Sequence, residues 1–150
     1  MTGKDTVPVI LLINGPNLNM LGKRSREHYG SFTLAQVESA FRTKAEALGV
    51  EAKFFQSNDE GAIVTAIHQS MQYASGIVVN AGAYTHYSYA IRDALASLTY
   101  TKVEVHISDI TKREDFRKIS VTAPVCDKQI YGLGLEGYLK AIDILLKKAD

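Results

Sequence analysis

The chain carries a single cysteine, Cys126, in 150 residues. It can form no internal disulfide, and its thiol is expected to pack as a small hydrophobe. It has almost no net charge, since seventeen Lys and Arg against sixteen Asp and Glu leave +1. No basic run builds the patch that binding a phosphate backbone requires, which excludes nucleic acid as a partner. Also missing is any apolar run near the ~18 residues that span a bilayer. The opening Met1-Thr-Gly-Lys-Asp-Thr-Val-Pro8 has no signal-peptide core. No membrane partner is expected, and one unpaired cysteine suits the cytoplasm. His28, His68, His86 and His106 have no metal-ligand spacing, so no metal is expected. No G-x-S-x-G elbow offers a hydrolase nucleophile. Internal repeats and linkers are likewise lacking.

What is present is ordinary for a globular protein: 46% apolar and 22% charged residues, which removes disordered and fibrous classes. One domain covering 1–150, with an ordered core over about 8–147, is long enough to bury roughly two-thirds of its unfolded surface.

Short β-branched runs alternate with segments of helical period, the pattern of a parallel sheet with crossover helices. Val9-Ile-Leu-Leu-Ile13 reads as a strand buried on both faces, followed by strands at 51–56, 76–80, 102–106 and, more weakly, 127–131. Thr33-Leu-Ala-Gln36 reads as a capping box before a helix presenting Leu34, Val37, Phe41, Ala45 and Leu48, ending near Gly49. Ser57-Asn-Asp-Glu60 reads as a second box before a helix presenting Ile63, Ile67 and Met71, which also carries His68 as a structural residue. Ala90, Ile91, Ala94, Leu95 and Leu98 mark another helix, and Thr111-Lys-Arg-Glu114 predicts a short one with Arg113 and Arg117 on a shared face. Leu135, Tyr138, Ile142 and Leu145 form a terminal helix closed by Lys147 and Lys148, where cations suit the dipole.

The expected fold is therefore α/β, a flavodoxin-like doubly wound sheet of five parallel strands in order 2-1-3-4-5. Ligands of such sheets bind beyond the strands' carboxyl ends, where the strand order reverses. Asn14 and Asn17 follow the first strand, Asn80 and His86 the third, and His106, Ser108 and Asp109 the fourth. A phosphoacceptor receiver would need carboxylates where Asn14 and Asn80 stand. Gly132-Leu-Gly-Leu-Glu-Gly137 spells a dinucleotide fingerprint, but no strand bearing an acidic residue ~20 positions later follows it. Those glycines are expected to let the last helix approach the sheet.

Gly22-Lys-Arg-Ser-Arg-Glu-His-Tyr-Gly30 places Arg24 near Tyr29 between two glycines. Holding a tyrosine ionised at pH 7 costs roughly 4 kcal/mol unless a fixed cation stabilises the phenolate, and a guanidinium is such a cation. Alternation along Val103-Glu-Val-His106 puts Glu104 and His106 on one face, where the carboxylate can orient an imidazole acting as an acid. Arg113 and Arg117 could grip an anionic or polyhydroxylated ligand.

Ile13-Asn-Gly-Pro-Asn-Leu-Asn19, Arg24, Tyr29-Gly30, Gln56-Ser-Asn58, Asn80-Ala-Gly-Ala-Tyr-Thr-His86, Ile91-Arg-Asp-Ala94, Val103-Glu-Val-His106, Arg113-Glu114, Phe116-Arg117 and Gly132-Leu-Gly134 together resemble the type II 3-dehydroquinate dehydratases, from Val9 to Leu146. The resemblance implies anti elimination of water from 3-dehydroquinate through an enolate to 3-dehydroshikimate, in the shikimate pathway or quinate degradation, without metal or organic cofactor. It implies Tyr29 as base, ionised with help from Arg24, and Asn17 holding a water against the enolate oxygen. His106, oriented by Glu104, would be the acid. The amides of Ile107 and Ser108 would receive the carboxylate, and Asn80, His86 and Arg117 the hydroxyls. Asp93 would approach a neighbouring subunit's site in a homododecamer built from trimers, with the Arg/Tyr loop closing over substrate. The chain departs from the usual pattern at Ser25-Arg26, Tyr87, Tyr89, Asp109 and Ile119. Asp109 in particular could repel an anionic substrate or cap the next turn. The alternatives are a paralogue acting on a related hydroxylated keto acid and a non-catalytic flavodoxin-like binding module.

Overall fold

The structure, a computed structural model, describes residues 7–147. Residues 1–6, read for a signal core, and Lys148 of the expected cationic helix end lie outside those described. The strands are β1 (Val9–Asn14), β2 (Glu51–Gln56), β3 (Gly76–Asn80), β4 (Thr101–His106) and β5 (Lys128–Tyr131). The helices are α1 (Arg26–Tyr29), α2 (Leu34–Ala47), α3 (Glu60–Ser70), α4 (Tyr89–Ala96) and α5 (Leu135–Leu145). All five strands run parallel in one sheet of order β2-β1-β3-β4-β5, the flavodoxin-like order expected.

The strand period of two divides the core. Ile10 and Leu12 pack with Val37 and Phe41 of α2 and Tyr138 and Ile142 of α5. Leu11 and Ile13 point the other way, to Ile63 and Ile67 of α3 and Ile91 and Leu95 of α4. Each such side chain contributes about 1.5–3 kcal/mol by leaving water. Val103 and Val105 belong to the α2/α5 side, so Glu104 and His106, which alternate with them, face the α4 side. A Cβ on Gly137 would lie 3.3 Å from Ile130 and 3.5 Å from Val105, so the last glycine of the 132–137 run lets α5 approach the sheet.

Asn14 pairs with Asn80 across β1 and β3, and the Gly15 N–H donates to the Asn80 carbonyl at 2.8 Å. The strand order reverses here, so the loops after these strands diverge and open a crevice.

Two local readings are corrected. Ser57 and Glu60 form no capping box: Asp59 is the N-cap of α3 and makes no side-chain cap bond. The Ser57 hydroxyl instead accepts from the Asp59 N–H at 2.9 Å, a local turn that competes with capping. The segment after β4 is not one helix but two 3₁₀ turns, Ile110–Lys112 and Asp115–Arg117, interrupted by an extended Arg113 at φ −108° and ψ −166°. Arg113 and Arg117 therefore share no helix face.

The Thr33 box is formed in both directions: Thr33 Oγ1 accepts from the Gln36 N–H, and Gln36 Oε1 accepts from the Thr33 N–H. Thr33→Ala is expected to cost ~1 kcal/mol and to lower the melting temperature by roughly 2–4 °C. An unchanged melting curve would mean that the box contributes nothing.

Candidate active site

A solvent-open cleft enclosing about 520 Å³ of non-atom space lies at the carboxyl edge of β1, β3 and β4. The Gly22–Gly30 excursion covers it, both glycines having positive φ (93° and 69°) that a larger residue would strain. Tyr29 ends α1 and is buried. The Arg24 guanidinium carbon stacks 3.6 Å from the Tyr29 ring centroid. Arg113 meets the phenol itself, its Nη1 donating to Tyr29 Oη at 2.6 Å and to Ser108 Oγ at 3.2 Å. A guanidinium has no lone pair to offer, so the phenol oxygen is the acceptor and its own proton must point elsewhere. Arg113 Nε is buried without a hydrogen-bond partner among the described residues, 3.7 Å from Glu114. Arg117 donates to Glu114 at 3.1 Å. Burial lowers Arg24 from its ordinary value despite the pull of Tyr29, and repulsion by Arg113 and Arg117 adds to this.

Two imidazoles lie nearly parallel, their centroids 6.5 Å apart and planes 19° from coplanar. His106 Nε2 donates to Glu104 Oε2 at 2.7 Å, leaving Nδ1 as its other nitrogen. His86 is tied by the opposite atom: its Nδ1 donates to the Ile119 carbonyl at 2.7 Å, so Nε2 keeps a lone pair. Burial lowers His86 from the usual histidine value, with His106 and Arg117 adding to this against the Ile119 carbonyl and Glu104. Glu104 is 1% exposed. Burial alone would push its carboxyl up; the His106 ring and hydrogen bonds from Thr122 and Gln129 hold it below its ordinary value. Ser120 Oγ also donates to this carboxylate, at 2.8 Å.

Asn80 is fixed from behind, its Nδ2 donating to Tyr138 Oη at 2.9 Å and its Oδ1 accepting from the Gly82 N–H at 3.1 Å. Tyr138 donates onward to Asn14 Oδ1 at 2.7 Å. Burial pushes the Tyr138 phenol well up, so it remains a donor. Asn80 keeps one N–H and one lone pair for the cleft. Asn17 adopts a left-handed backbone, φ 70°, and its N–H donates to Asn58 Oδ1 at 3.0 Å. The Ile107 and Ser108 carbonyls accept from the Gly134 and Gly132 N–H groups, fixing the turn after β4.

All the expected site residues line this cleft except two. Glu104 sits behind His106, and Asp93 is exposed on α4, away from this chain's cleft. His68 is exposed on α3. Cys126 packs against the core, and burial followed by the nearby Glu104 pushes its thiol up to about 12, which suits an inert packing residue. Sequence reasoning missed Tyr138, Ser120, Thr122 and Gln129. Tyr138 occupied an apolar helix position, and the others lie where no periodicity marks them; only their hydroxyl and amide chemistry could have drawn notice. Among the described residues no cluster of three or more His, Cys, Asp and Glu is placed to hold a metal ion, and no helix is long and apolar enough to cross a membrane.

The family model described as Dehydroquinase class II matches residues 8–146. A 3-dehydroquinate dehydratase of Bacillus pumilus (strain SAFR-032) is 52% identical over 142 residues, covering 95% of this chain and 97% of that protein. One from Bacillus cereus (strain AH820) is 54% identical over 139 residues, covering 93% and 95%. The crystal structure of a type II dehydroquinase from Butyrivibrio crossotus DSM 2876 superposes with a TM-score of 0.92 at 50% identity, covering 94% of this chain and 99% of that one.

Asp109 decides between the two roles its position allowed. Its carboxylate accepts from the Thr111 N–H at 3.0 Å and from the Thr111 hydroxyl at 2.5 Å, capping the first 3₁₀ turn, and it is not among the cleft residues. Asp109→Asn is therefore expected to leave ligand affinity at the cleft unchanged and to lower the melting temperature by no more than a few degrees. Tighter binding measured by calorimetry would return Asp109 to the cleft.

Proposed function

The chain belongs to the class II dehydroquinases and dehydrates 3-dehydroquinate to 3-dehydroshikimate, and we propose that it does so with Tyr29 as base and His106 as acid. The observation that carries this reading is the Tyr29 phenol held as acceptor by Arg113 in the same cleft as the His106–Glu104 pair. A proton next to a ketone is weakly acidic. Its removal needs an anionic base, and the Arg113 hydrogen bond and the Arg24 stack place two guanidinium cations against the phenol where a phenolate would form.

The proton passes to Tyr29 Oη and the electron pair of the broken C–H bond becomes the enolate. A water held by Asn17 stabilises that oxygen. The enolate collapses to the conjugated enone as the C–O bond to the hydroxyl breaks, and His106 supplies the proton with which the hydroxyl leaves as water. Glu104 stabilises the imidazolium before transfer and fixes the ring during it. The amides of Ile107 and Ser108 receive the substrate carboxylate. Asn80, Arg117 and the unprotonated Nε2 of His86 hold hydroxyls, and Arg113 Nε is a further unspent donor. No step calls on a metal or organic cofactor.

The same reading makes the protein a cytoplasmic homododecamer built from trimers, serving aromatic biosynthesis or quinate breakdown, with Asp93 reaching a neighbour's cleft. Exposed apolar side chains beside the cleft support an interface there: Tyr87 at 59%, Tyr89 at 65%, Phe116 at 56% and Ile119 at 65%.

Tyr29→Phe is expected to abolish nearly all turnover, followed as appearance of the enone absorbance, while retaining substrate binding by calorimetry. Near-wild-type rates would remove Tyr29 as the base. In the pH profile, Arg113→Gln is expected to move the limb that reports the base upward by more than Arg24→Gln does, because it deletes the direct hydrogen bond; each unit moved is ~1.4 kcal/mol. The reverse order would make the stacked Arg24 the principal stabiliser.

A further inference from the structure

The loop after the second 3₁₀ turn passes behind both imidazoles. Within four consecutive residues, 119–122, the Ile119 carbonyl accepts from His86 Nδ1 at 2.7 Å. Ser120 Oγ donates to Glu104 at 2.8 Å, and the Thr122 hydroxyl donates to the other Glu104 oxygen. The strap is itself pinned to the loop after β3 and to α4, the Val121 N–H donating to the Thr85 carbonyl at 2.9 Å and Arg92 Nη1 to the Val121 carbonyl at 3.3 Å. We propose that this strap sets the tautomers of both rings, and that Ser120 and Thr122 are positioning residues that keep Glu104 an ionised acceptor aimed at His106 Nε2. The proposal rests on the reading of His106 as the acid.

The reasoning is an inventory of lone pairs. An ionised carboxylate accepts about four hydrogen bonds, and a buried one that is under-supplied is unstable as an anion. Glu104 receives His106 from its own strand, Gln129 Nε2 from β5 at 2.9 Å, and Ser120 and Thr122 from the strap. The Ser120 oxygen is held in place by accepting the Ala123 N–H at 2.9 Å, and of the acceptors in reach of its proton the nearest is Glu104 Oε2 at 2.8 Å, ahead of Glu104 Oε1 at 3.1 Å and Thr122 Oγ1 at 3.2 Å. Three of the four donors are neutral. A cation in their place would compete with the imidazolium for the charge of Glu104, whereas neutral donors leave His106 as its one ionisable hydrogen-bond partner. If a donor is lost, the carboxylate is better served by taking a proton itself, and His106 Nε2 then loses its fixed acceptor and its orientation.

The other ionisable groups near this assembly are few. His86 lies parallel to His106, and Arg117 acts on His86. Cys126 lies near Glu104, with Lys102 and Asp127 beside it. None of them donates a hydrogen bond to the carboxylate.

The test compares Thr122→Val, Ser120→Ala and Thr122→Ser with the unaltered protein. Three readouts are taken: kcat and KM for 3-dehydroquinate, melting temperature, and a nitrogen-15 NMR pH titration of the histidine rings without ligand. Thr122→Val and Ser120→Ala are each expected to lower kcat roughly tenfold or more, a part of the 10²–10⁴ that acid catalysis contributes, with KM within about twofold. Their His106 nitrogens are expected to shift from a single Nε2–H tautomer to a mixture, and Thr122→Ser is expected to restore both. A lowered melting temperature with kcat and the His106 signals preserved would reduce the strap to a structural element and overturn the proposal. So would failure of Thr122→Ser to restore what Thr122→Val loses. If the unaltered protein turned over no 3-dehydroquinate, the catalytic reading would fail, and the NMR titration would still decide whether the strap governs the tautomers. Should Thr122→Val not fold, Ser120→Ala alone decides by the same criteria.

Discussion

The buried charge of Glu104 is the constraint around which the catalytic edge of this protein is arranged. A carboxylate at 1% exposure is tolerated only when its lone pairs are filled. Here the donors come from β4, from β5 and from the loop between them. The pairing of Glu104 with Gln129 in the β4–β5 register places one of those donors, and the strap places two more. The weakest of the strands, β5, is thus tied to the site through a side chain as well as through its backbone. His106 inherits its orientation from this arrangement, since its position on β4 fixes only the face from which it emerges.

The opposite wall of the cleft solves the inverse problem. Arg24, Arg113 and Arg117 gather around a phenol and a cavity, and the carboxylate within reach of Arg113 and Arg117 is the exposed Glu114. Their mutual repulsion is relieved by anything negative that forms or binds between them. A phenolate at Tyr29 and the carboxylate of a bound ligand would both be such species, so a field that draws an anion into the cleft is also one that favours a phenolate there. The near-neutral whole-chain charge of +1 conceals this local excess.

The sheet was legible in the sequence because parallel strands buried on both faces must be short continuous apolar runs, and β1 and β3 are buried along almost their whole length. The Thr33 box was legible because its residues serve only the helix they start. Ser57-x-x-Glu60 has the same spelling and failed because Glu60 is engaged elsewhere, accepting from Ser88 Oγ. The helix expected at 111–114 failed for a related reason. Arg113 takes an extended backbone, and its guanidinium reaches the phenol of Tyr29, 84 positions away in the chain. Both errors arise where a side chain answers to a distant partner. Tyr138 was placed correctly on the apolar face of α5, yet the period that placed it could not reveal that its hydroxyl links Asn80 to Asn14.

The positions read from the sequence as departures from the family pattern share a physical property: none of their side chains is among those lining the cleft. Tyr87, Tyr89 and Ile119 are more than half exposed. Ile119 acts on His86 through its backbone carbonyl, a contact any residue at that position could make. Asp109 spends its carboxylate on Thr111. Ser25 begins α1 without a side-chain cap bond, and Arg26 points to solvent. These positions fall on the outer surface and on the Gly22–Gly30 loop, where a change of side chain alters what the molecule can pack against while leaving in place the polar groups that face the cleft.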